Sequence, residues 1–468
     1  MRQLWMLFGY RMKIADSHAH LNFPDYEGDR EEVIKRAREG KVLLIINIGS
    51  GEGIEGIKNS LEIARSHNFI YTTIGIHPHE AGIMDFKELL PFFSEEKVVG
   101  VGECGLDFYK NYSPREKQID VFKRQIDLAM DKKLPLVIHS RNAMDEILKI
   151  MEEKDPWKNG VLFHCFSGDE SLAMDIVKRG GFISFAGNIT YRDNEAVRSL
   201  IRRIPDERIL LETDCPFLSP VPYRGKRNEP LYIWMTADFA GKVRGITAED
   251  MGRISFVNTV RFFRIPYEIE PSIVYKIRRS LYINLTNECT LSCTFCGKRR
   301  SYFVKGHYLK LEREPSVDEV LSEINSYKRE TFDEVVFCGY GEPLLRLDKV
   351  KEIAKALKST GIKTRIDTDG LANLVHKRNI VPELSGLIDS ISISLNAPDE
   401  ETYAKICPSP YGKEAWKHVC EFVRECKKYI SEVVITAVSL PSISSEDMEK
   451  LAESLGVKFR MREFNEIG

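Results

Sequence analysis

The sequence predicts an α/β protein made of two barrels in tandem, an N-terminal (β/α)8 TIM barrel followed by a C-terminal partial (β/α)6 barrel. Three observations carry this. The chain has 468 residues, whereas a single core stops growing near roughly 250–300. Short apolar runs alternate with longer helical patterns, as in a parallel sheet built from strand–helix units. The alternation breaks at "RIPYEIEPS", where Pro266 and Pro271 bracket a short stiff connector.

The elements follow in order. "MRQLWMLFGYR" reads as a tail, since no small-residue cleavage site precedes the polar "DSHAH", and the first domain is placed at 12–265. Its runs are "KIADS", "LLIINIG", "YTTIGI", "VVGVGE", "LPLVIH", "VLFHCF", "GFISFAG" and "ERILLETD", eight in all, the number that closes a barrel. The second domain, 273–468, offers six: "LYINLT", "EVVFCGY", "KTRIDT", "SISISLN", "EVVITAV" and "VKFRMREF", which suits a barrel open on one side.

Charge and composition narrow the function classes. With 68 basic and 70 acidic residues the net charge is −2, so any polyanion site must be local. No apolar run approaches the roughly 18–20 residues that would span a bilayer. Ten cysteines in no paired framework suit a reducing cytoplasm.

Polar residues placed on this map converge. His18 and His20 follow the first strand as H-x-H; Glu103 is expected to end strand four, His139 strand five, His164 strand six and Asp214 strand eight. All six fall at strand C-termini, the face on which barrel active sites are built. Residues i and i+2 of a strand point the same way, so His18 and His20 can grip one ion. Mixed imidazole and carboxylate donors suit Zn, Mn or Mg. Glu103 also reads as a helix-capping carboxylate, and any one of the histidines as a satisfied core residue.

The segments "DSHAHL", "GIHPHEA", "GECGLDFY", "LPLVIHSRNA", "FHCFSG", "LLETDCPFLSP" and "RGKRNEP", in order from Met12 to Ile265, resemble the TatD family of metal-dependent deoxyribonucleases. The resemblance implies that His18, His20, Glu103, His139, His164 and Asp214 ligate two divalent ions, with Glu103 bridging. Two such ions suit phosphodiester hydrolysis. Asp214, at the end of the last strand, can take a proton from the attacking water. His77, His79 and Arg141 are candidate phosphate contacts, although the two histidines could equally pin the Pro78 turn. Arg224, Lys226 and Arg227 form a basic loop suited to sequence-blind contact with a nucleic-acid backbone, or a solvated loop with a structural Asn228–Glu229–Pro230 turn.

In the second domain "NECTLSCTFCGK" presents Cys289, Cys293 and Cys296. Structural zinc takes four ligands in paired spacing, and no second pair lies at a usual distance; His307 stands alone. A [4Fe-4S] cluster fits better, with three thiolates holding three irons and the fourth iron left open. C-x3-C-x2-C with Phe295 before the last cysteine resembles the radical S-adenosylmethionine (radical SAM) superfamily, over Leu281 to about Gly468. By that resemblance "GYGEP" supplies Gly339, Gly341 and Glu342 to hold the methionine amino group of S-adenosyl-L-methionine. Asp369 of "DTDG", with Ser394 and Asn396 of "SLN", supplies ribose and carboxylate contacts, and Phe295 is placed for adenine stacking or for packing. Tyr340 and Asp369 depart from the commonest residues at their positions. "GYGEP" and "TDG" also read as plain turns. Cys407, Cys420 and Cys426 raise an accessory cluster, but "EAWKHVCEFVREC" is an amphipathic helix in which Ala415, Val419, Val423 and Cys426 share a face, so core thiols are the preferred reading.

The expectation is a cytoplasmic, oxygen-sensitive, two-site enzyme. A DNase-like hydrolase acts on nucleic acid or nucleotides, and a radical SAM domain fed by an external one-electron reductant forms a 5′-deoxyadenosyl radical. Two rival classes fit the same residues: an amide hydrolase or base deaminase, and an iron–sulfur sensor or binding module without radical chemistry.

Overall fold

Each run before the connector becomes a strand: β1 Ile14–Ala19, β2 Val42–Ile48, β3 Ile70–Ile74, β4 Val98–Asp107, β5 Leu136–Arg141, β6 Val161–Phe163, β7 Phe182–Phe185 and β8 Ile209–Leu211. The structure is a computed structural model that describes residues 13–462 apart from Asn111 and Arg300. The tail ahead of Met12, Met12 itself and the last six residues assigned to the second domain lie outside the described residues. The eight strands pair in sequence order, each parallel to the next. The seam between β8 and β1 closes through the residues just beyond them: Asp214 N donates to His18 O (2.9 Å), His20 N donates to Cys215 O (2.8 Å), and Ala19 bridges Cys215. β1 and β4 are buried at every position, as strands wrapped by helices on one side and a filled interior on the other must be. The wrapping helices start where the chain supplies caps; Thr247 and Asp250, for example, form a reciprocal capping box ahead of Ala248–Phe262.

Three expected strand ends are corrected, since His18 lies inside β1 rather than after it and Glu103 and His139 lie inside β4 and β5. Glu103 does not end the fourth strand: β4 continues to Asp107. Its register against β5 shifts between Val101 and Cys104, after which Cys104–Asp107 pair with Ile138–Arg141. An irregularity of this kind re-aims a side chain without ending a strand, which is why "VVGVGE" looked complete. His139 likewise lies inside β5 rather than at its end.

The chain divides into two compact units, Met1–Glu268 and Ile269–Gly468. In the second, the six expected runs form β10 Ser280–Ile283, β13 Glu334–Phe337, β14 Lys363–Thr368, β15 Ser390–Ser394, β16 Glu432–Val438 and β17 Lys458–Arg462, after β9 Val274–Ile277 and with β11 Phe303–Val304 and β12 His307–Tyr308 between β10 and β13. The sheet order is β17-β16-β15-β14-β13-β10-β9, parallel except for β9, which is antiparallel to β10. The β9 edge was not anticipated, because its hairpin turns at Arg278–Arg279, with Arg278 at φ 55, and lacks the usual Asn or Gly. The β11–β12 hairpin was missed for its brevity.

Alternation sorts the second sheet into two faces. Leu281, Ile283, Val335, Phe337, Ile366, Ile391, Ile393, Val433, Ile435 and Ala437 join the helix-side core. The residues between them, including Tyr282, Arg365, Asp367, Ser392, Ser394 and Thr436, turn to the opposite, concave face. Among the described residues no helix is long and apolar enough to cross a membrane.

Candidate functional site

The barrel interior gathers the donors around Glu103. Its Oε2 lies 3.5 Å from His18 Nε2 and 3.8 Å from His20 Nε2. Its Oε1 lies 2.6 Å from His139 Nδ1, 2.8 Å from His164 Nε2 and 3.7 Å from His77 Nε2. Asp214 Oδ1 closes the first group, 3.6 Å from His18 Nε2 and 3.4 Å from His20 Nε2. The two oxygens of one buried carboxylate thus face two sets of imidazoles. Donor atoms of His18, His20 and Glu103, of His18, His164 and Asp214, and of His77, Glu103 and His139 each fall within 4.8 Å of one another.

Burial and the neighbouring charges set the electrostatics of the cluster. Burial works against a charged Glu103, yet the imidazoles of His164 and His77 and the bond from His139 outweigh it and hold the carboxyl well below its ordinary range. Burial also opposes a charged Asp214, and His20 and His18 overcome it to lower that group too. His164 goes well above its usual value, because Glu103 and Glu212 outweigh its burial. His18 and His77 are pushed down, each first by burial. His18 Nε2 and His20 Nε2 stand only 3.2 Å apart and face the same carboxylates. Buried acids crowded by imidazole nitrogens call for positive charge, and the donor set fits divalent cations, whose binding would release the shared protons. All six expected ligands are brought together, and His77, expected to contact substrate, sits among them.

Three buried acids that sequence reasoning passed over support the ligands from behind. Asp107 Oδ2 lies 2.8 Å from His79 Nε2 and 3.3 Å from His139 Nε2, while its Oδ1 accepts from Tyr109 N and Lys110 N, both at 2.9 Å. Glu212 accepts from Cys165 N (2.7 Å) and Ser184 Oγ (2.6 Å) and lies 3.5 Å from His164 Nδ1. Asp16 accepts from Thr213 N (2.9 Å) and Thr213 Oγ1 (2.5 Å), and burial pushes its carboxyl up to about 8. The signal was proximity, each acid standing two or four residues from an expected ligand. Asp107 and Glu212 face His139 and His164, where orienting the far nitrogen of a liganding imidazole is the usual task of a carboxylate, whereas Asp16 instead ties Thr213 to the first strand.

At the mouth, Arg141 is exposed and stacks over Tyr109 (4.1 Å), and Arg224 over Tyr191 (4.3 Å); Lys226 lies 5.9 Å from the Tyr223 ring. Arg227 differs. It donates to both oxygens of Asp29 (2.8 and 2.6 Å) and to Asp25 O (2.6 Å), clasping its loop to the barrel. Asn228 anchors the same loop through Thr213 O and Phe217 O at 2.9 and 2.6 Å.

In the second unit the cysteine loop is laid along another segment: Ser292 N donates to Pro408 O and Thr294 N to Ile406 O, both at 2.8 Å. Cys289, Cys293 and Cys296 are all free and half-buried. Burial raises the thiols of Cys289 and Cys296, and Cys293 is raised first by Cys407 and then by burial. Three protonated, half-buried thiols on one loop fit a cluster that would take them as thiolates. Cys407 is nearly fully buried, as a core thiol should be, but its Sγ lies 3.5 Å from Cys293 Sγ; Cys420 and Cys426 are plain core residues.

"GYGEP" packs tightly against this loop. A Cβ on Gly341 would lie 2.2 Å from Thr286 O, and one on Gly339 2.4 Å from Asn284 Oδ1. Glu342 is buried, and its carboxylate accepts from Leu344 N (2.9 Å), Thr368 Oγ1 (2.8 Å) and Asp369 N (2.7 Å), tying "GYGEP" to "DTDG". Asp369 bonds Thr290 and Leu371 N and lies 3.9 Å from Cys289 Sγ. Tyr340, the unexpected residue, donates to Phe303 O on the short hairpin (2.9 Å). Asn396 stands at φ 58, and its buried Oδ1 has no partner among the described residues. Such an unanswered acceptor beside Ser394 fits a bound polar cofactor. Phe295 is half-buried against the core.

A closed (β/α)8 barrel with imidazole and carboxylate donors converging in its mouth defines a metal-dependent hydrolase, here followed by a smaller α/β unit bearing three free thiols on one loop. Residues 15–264 match the TatD related DNase family and residues 283–455 the radical SAM superfamily. The chain belongs to the TatD related DNase family and carries a radical SAM domain behind it. It is 38% identical to an uncharacterised metal-dependent hydrolase of Bacillus subtilis, over 54% of this chain and 99% of that protein. It is 32% identical to a 3′-5′ ssDNA/RNA exonuclease of Erwinia tasmaniensis, over 53% of this chain and 99% of that one. The crystal structure of a TatD homologue from Escherichia coli superposes with a TM-score of 0.51 at 28% identity, covering 54% of this chain and 98% of the other.

Proposed function

We propose that the first unit hydrolyses phosphodiester bonds in nucleic acid or nucleotides, and that the second unit uses S-adenosylmethionine and a [4Fe-4S] cluster to start radical chemistry with electrons from an external one-electron reductant in the cytoplasm. The observation that carries the first part is the split of Glu103, with one oxygen toward His18 and His20 and the other toward His139 and His164. Divalent ions held there by His18, His20, Glu103, His139, His164 and Asp214 would supply Lewis acidity for a water molecule and for phosphoryl oxygens. Asp214, whose carboxyl His20 and His18 hold low, takes the proton of the attacking water. His77 and His79 orient the scissile group from the Asp107 side. Arg141, Arg224 and Lys226, all exposed at the mouth, hold flanking phosphates.

In the second unit Cys289, Cys293 and Cys296 hold the cluster. Gly339 and Gly341 let the chain pass close behind it, and Glu342 fixes that turn against Asp369. Asn396, with its open Oδ1, and Ser394 face the nucleoside part of the cofactor, and Phe295 lies beside it. The cluster and S-adenosylmethionine would supply a reductive sulfonium cleavage; the chain orients the cofactor and excludes water.

The test has two arms on one preparation. End-labelled oligonucleotides incubated with Mn should be shortened and a panel of amides left intact; amide turnover without nicking would replace the first reading. Anaerobically reconstituted, reduced protein with S-adenosylmethionine should release 5′-deoxyadenosine, and an iron–sulfur sensor would release none.

A further inference from the structure

The concave face of the second sheet carries a pair of cations on its last strand. On β17, Phe459 and Met461 pack toward the helix-side core, so Arg460 and Arg462 project from the opposite face. Their neighbours on β16 are Thr436 and Val438. Both side chains reach over β16 toward β15: Arg460 Nη2 lies 3.5 Å from Ser392 Oγ and Arg462 Nη2 3.3 Å from Ser394 Oγ. Both are nonetheless open to solvent. The acids of that face are engaged with another partner, since Glu334 and Asp367 hold Arg365 at 3.1 and 2.6 Å. Among the described residues neither Arg460 nor Arg462 forms a direct ion pair, although Arg460 adds to the positive charge that lowers Glu334.

We infer that Arg460 and Arg462, with the hydroxyls of Ser392, Ser394 and Thr436, form an oxyanion site for a phosphate group on the substrate of the second unit. Two forks and three hydroxyls offer more donors than a carboxylate can use. One guanidinium satisfies both oxygens of a carboxylate, whereas a phosphomonoester presents three terminal oxygens and up to two charges. Ser394 is also a residue proposed to face the cofactor, so a phosphate held beside it lies on the side where radical chemistry begins. The inference rests on the radical-initiating reading of this unit and names its substrate class: a phosphomonoester, such as a nucleotide of the kind the first unit would release.

The experiment is equilibrium dialysis of thymidine 5′-monophosphate against the full, reconstituted chain and against R460Q/R462Q, with thymidine as the phosphate-free probe. One of two phosphate-dependent sites per chain should vanish, or its Kd rise roughly ten- to hundredfold, with iron content unchanged. R460K/R462K, which keeps the charge but not the fork, should fall between, and this guards against a folding defect. Inorganic phosphate should displace the nucleotide from that site and succinate should not. Equal phosphate binding by wild type and R460Q/R462Q overturns the inference, as does displacement by succinate. So does an equal loss of S-adenosylmethionine affinity, which would assign the arginines to the cofactor. If the phosphate site is present but no 5′-deoxyadenosine forms, the radical reading fails while the oxyanion site stands.

Discussion

Replacing Asp107 by Asn tests whether an acid outside the ligand set governs the metal centre. The amide oxygen can still accept from Tyr109 N and Lys110 N, which bond Oδ1 at 2.9 Å each, and Gln118 Oε1 still receives the backbone N–H of residue 107. The local turn therefore survives. What changes is the other atom: an NH2 replaces the oxygen that lies 2.8 Å from His79 Nε2 and 3.3 Å from His139 Nε2. With a metal ion taking the lone pair of His139 Nδ1 on the Glu103 side, Nε2 would carry the proton, and it would then meet another donor. Loss of an orienting carboxylate of this type costs about 10- to 100-fold in metal affinity or activity, or about 1.4–2.7 kcal/mol at 1.36 kcal/mol per decade. The assay is oligonucleotide cleavage as a function of Mn concentration, paired with calorimetric Mn titration and a melting curve. The activation curve should move to higher Mn by that factor while Tm moves little. If D107N is activated at the same Mn concentration as wild type, Asp107 does not position His139 and the reasoning fails.

Four further outcomes follow from the same geometry. Chelation should lower the Tm of the first unit, because a ligand at 1,000 times its Kd stabilises by about 4.1 kcal/mol; an unchanged thermogram would remove the metal from the folded centre. Gly341→Ala places a Cβ 2.2 Å from Thr286 O and 2.6 Å from Glu288 O, both backbone atoms, so the loop before Cys289 must shift at a cost of about 1–3 kcal/mol; iron retained after reconstitution should fall, and full retention would contradict the packing. Glu342→Ala leaves three buried donors without their acceptor, at about 1–3 kcal/mol for each left unpaired. Glu342→Gln should be milder by thermal melting, because its amide oxygen can still accept from Leu344 N and Thr368 Oγ1, which share Oε1, and only Asp369 N loses its acceptor. Finally, R227A should lose about 1 kcal/mol of stability with its Asp29 clasp, whereas K226A should leave Tm alone and flatten the salt dependence of oligonucleotide binding; identical salt slopes would take Lys226 out of the interface.

The strands were legible because period-two burial and strand–helix alternation are local signals, and the apolar runs named from the sequence all became strands. The convergence of the six residues expected as first-unit ligands was legible because each sits in or just beyond a strand of the barrel. What escaped was non-local or sterically unmarked. The β9 hairpin turns on Arg278 at φ 55, a conformation its residue type does not announce. Asp107 escaped because β4 resumes pairing after its register shift, so the strand was cut four residues short. The structural bonds of Glu342 escaped for a different reason: a carboxylate in a glycine-rich turn looks like a ligand contact, and nothing local shows that it also accepts from Leu344 N, Thr368 Oγ1 and Asp369 N. Cys407 was read correctly as buried, yet its distance to Cys293 depends on how residues 406–408 lie along the cysteine loop, which no local pattern encodes.

The seam of the first barrel joins fold and chemistry. β8 is short, ending at Leu211, and the last contact with β1 is made by residues proposed to hold the metal, and by Cys215: Asp214 N bonds His18 O, and His20 N bonds Cys215 O. Asp16, two residues before His18, accepts both donors of Thr213 across the same seam. His18 and His20 on one side and Asp214 on the other are therefore brought within 3.4–3.6 Å only when the barrel closes, although nearly 200 residues of chain separate them. A cation gripped by all three would tie the first strand to the last, so closure builds the site and occupancy reinforces closure. The second sheet never closes; its β17 edge instead leaves Arg460 and Arg462 open to solvent over β16. A closed barrel with candidate ligands on both sides of its seam favours an ion held by the fold itself, while an open sheet with solvent-exposed cations along its edge favours a charged substrate that comes and goes.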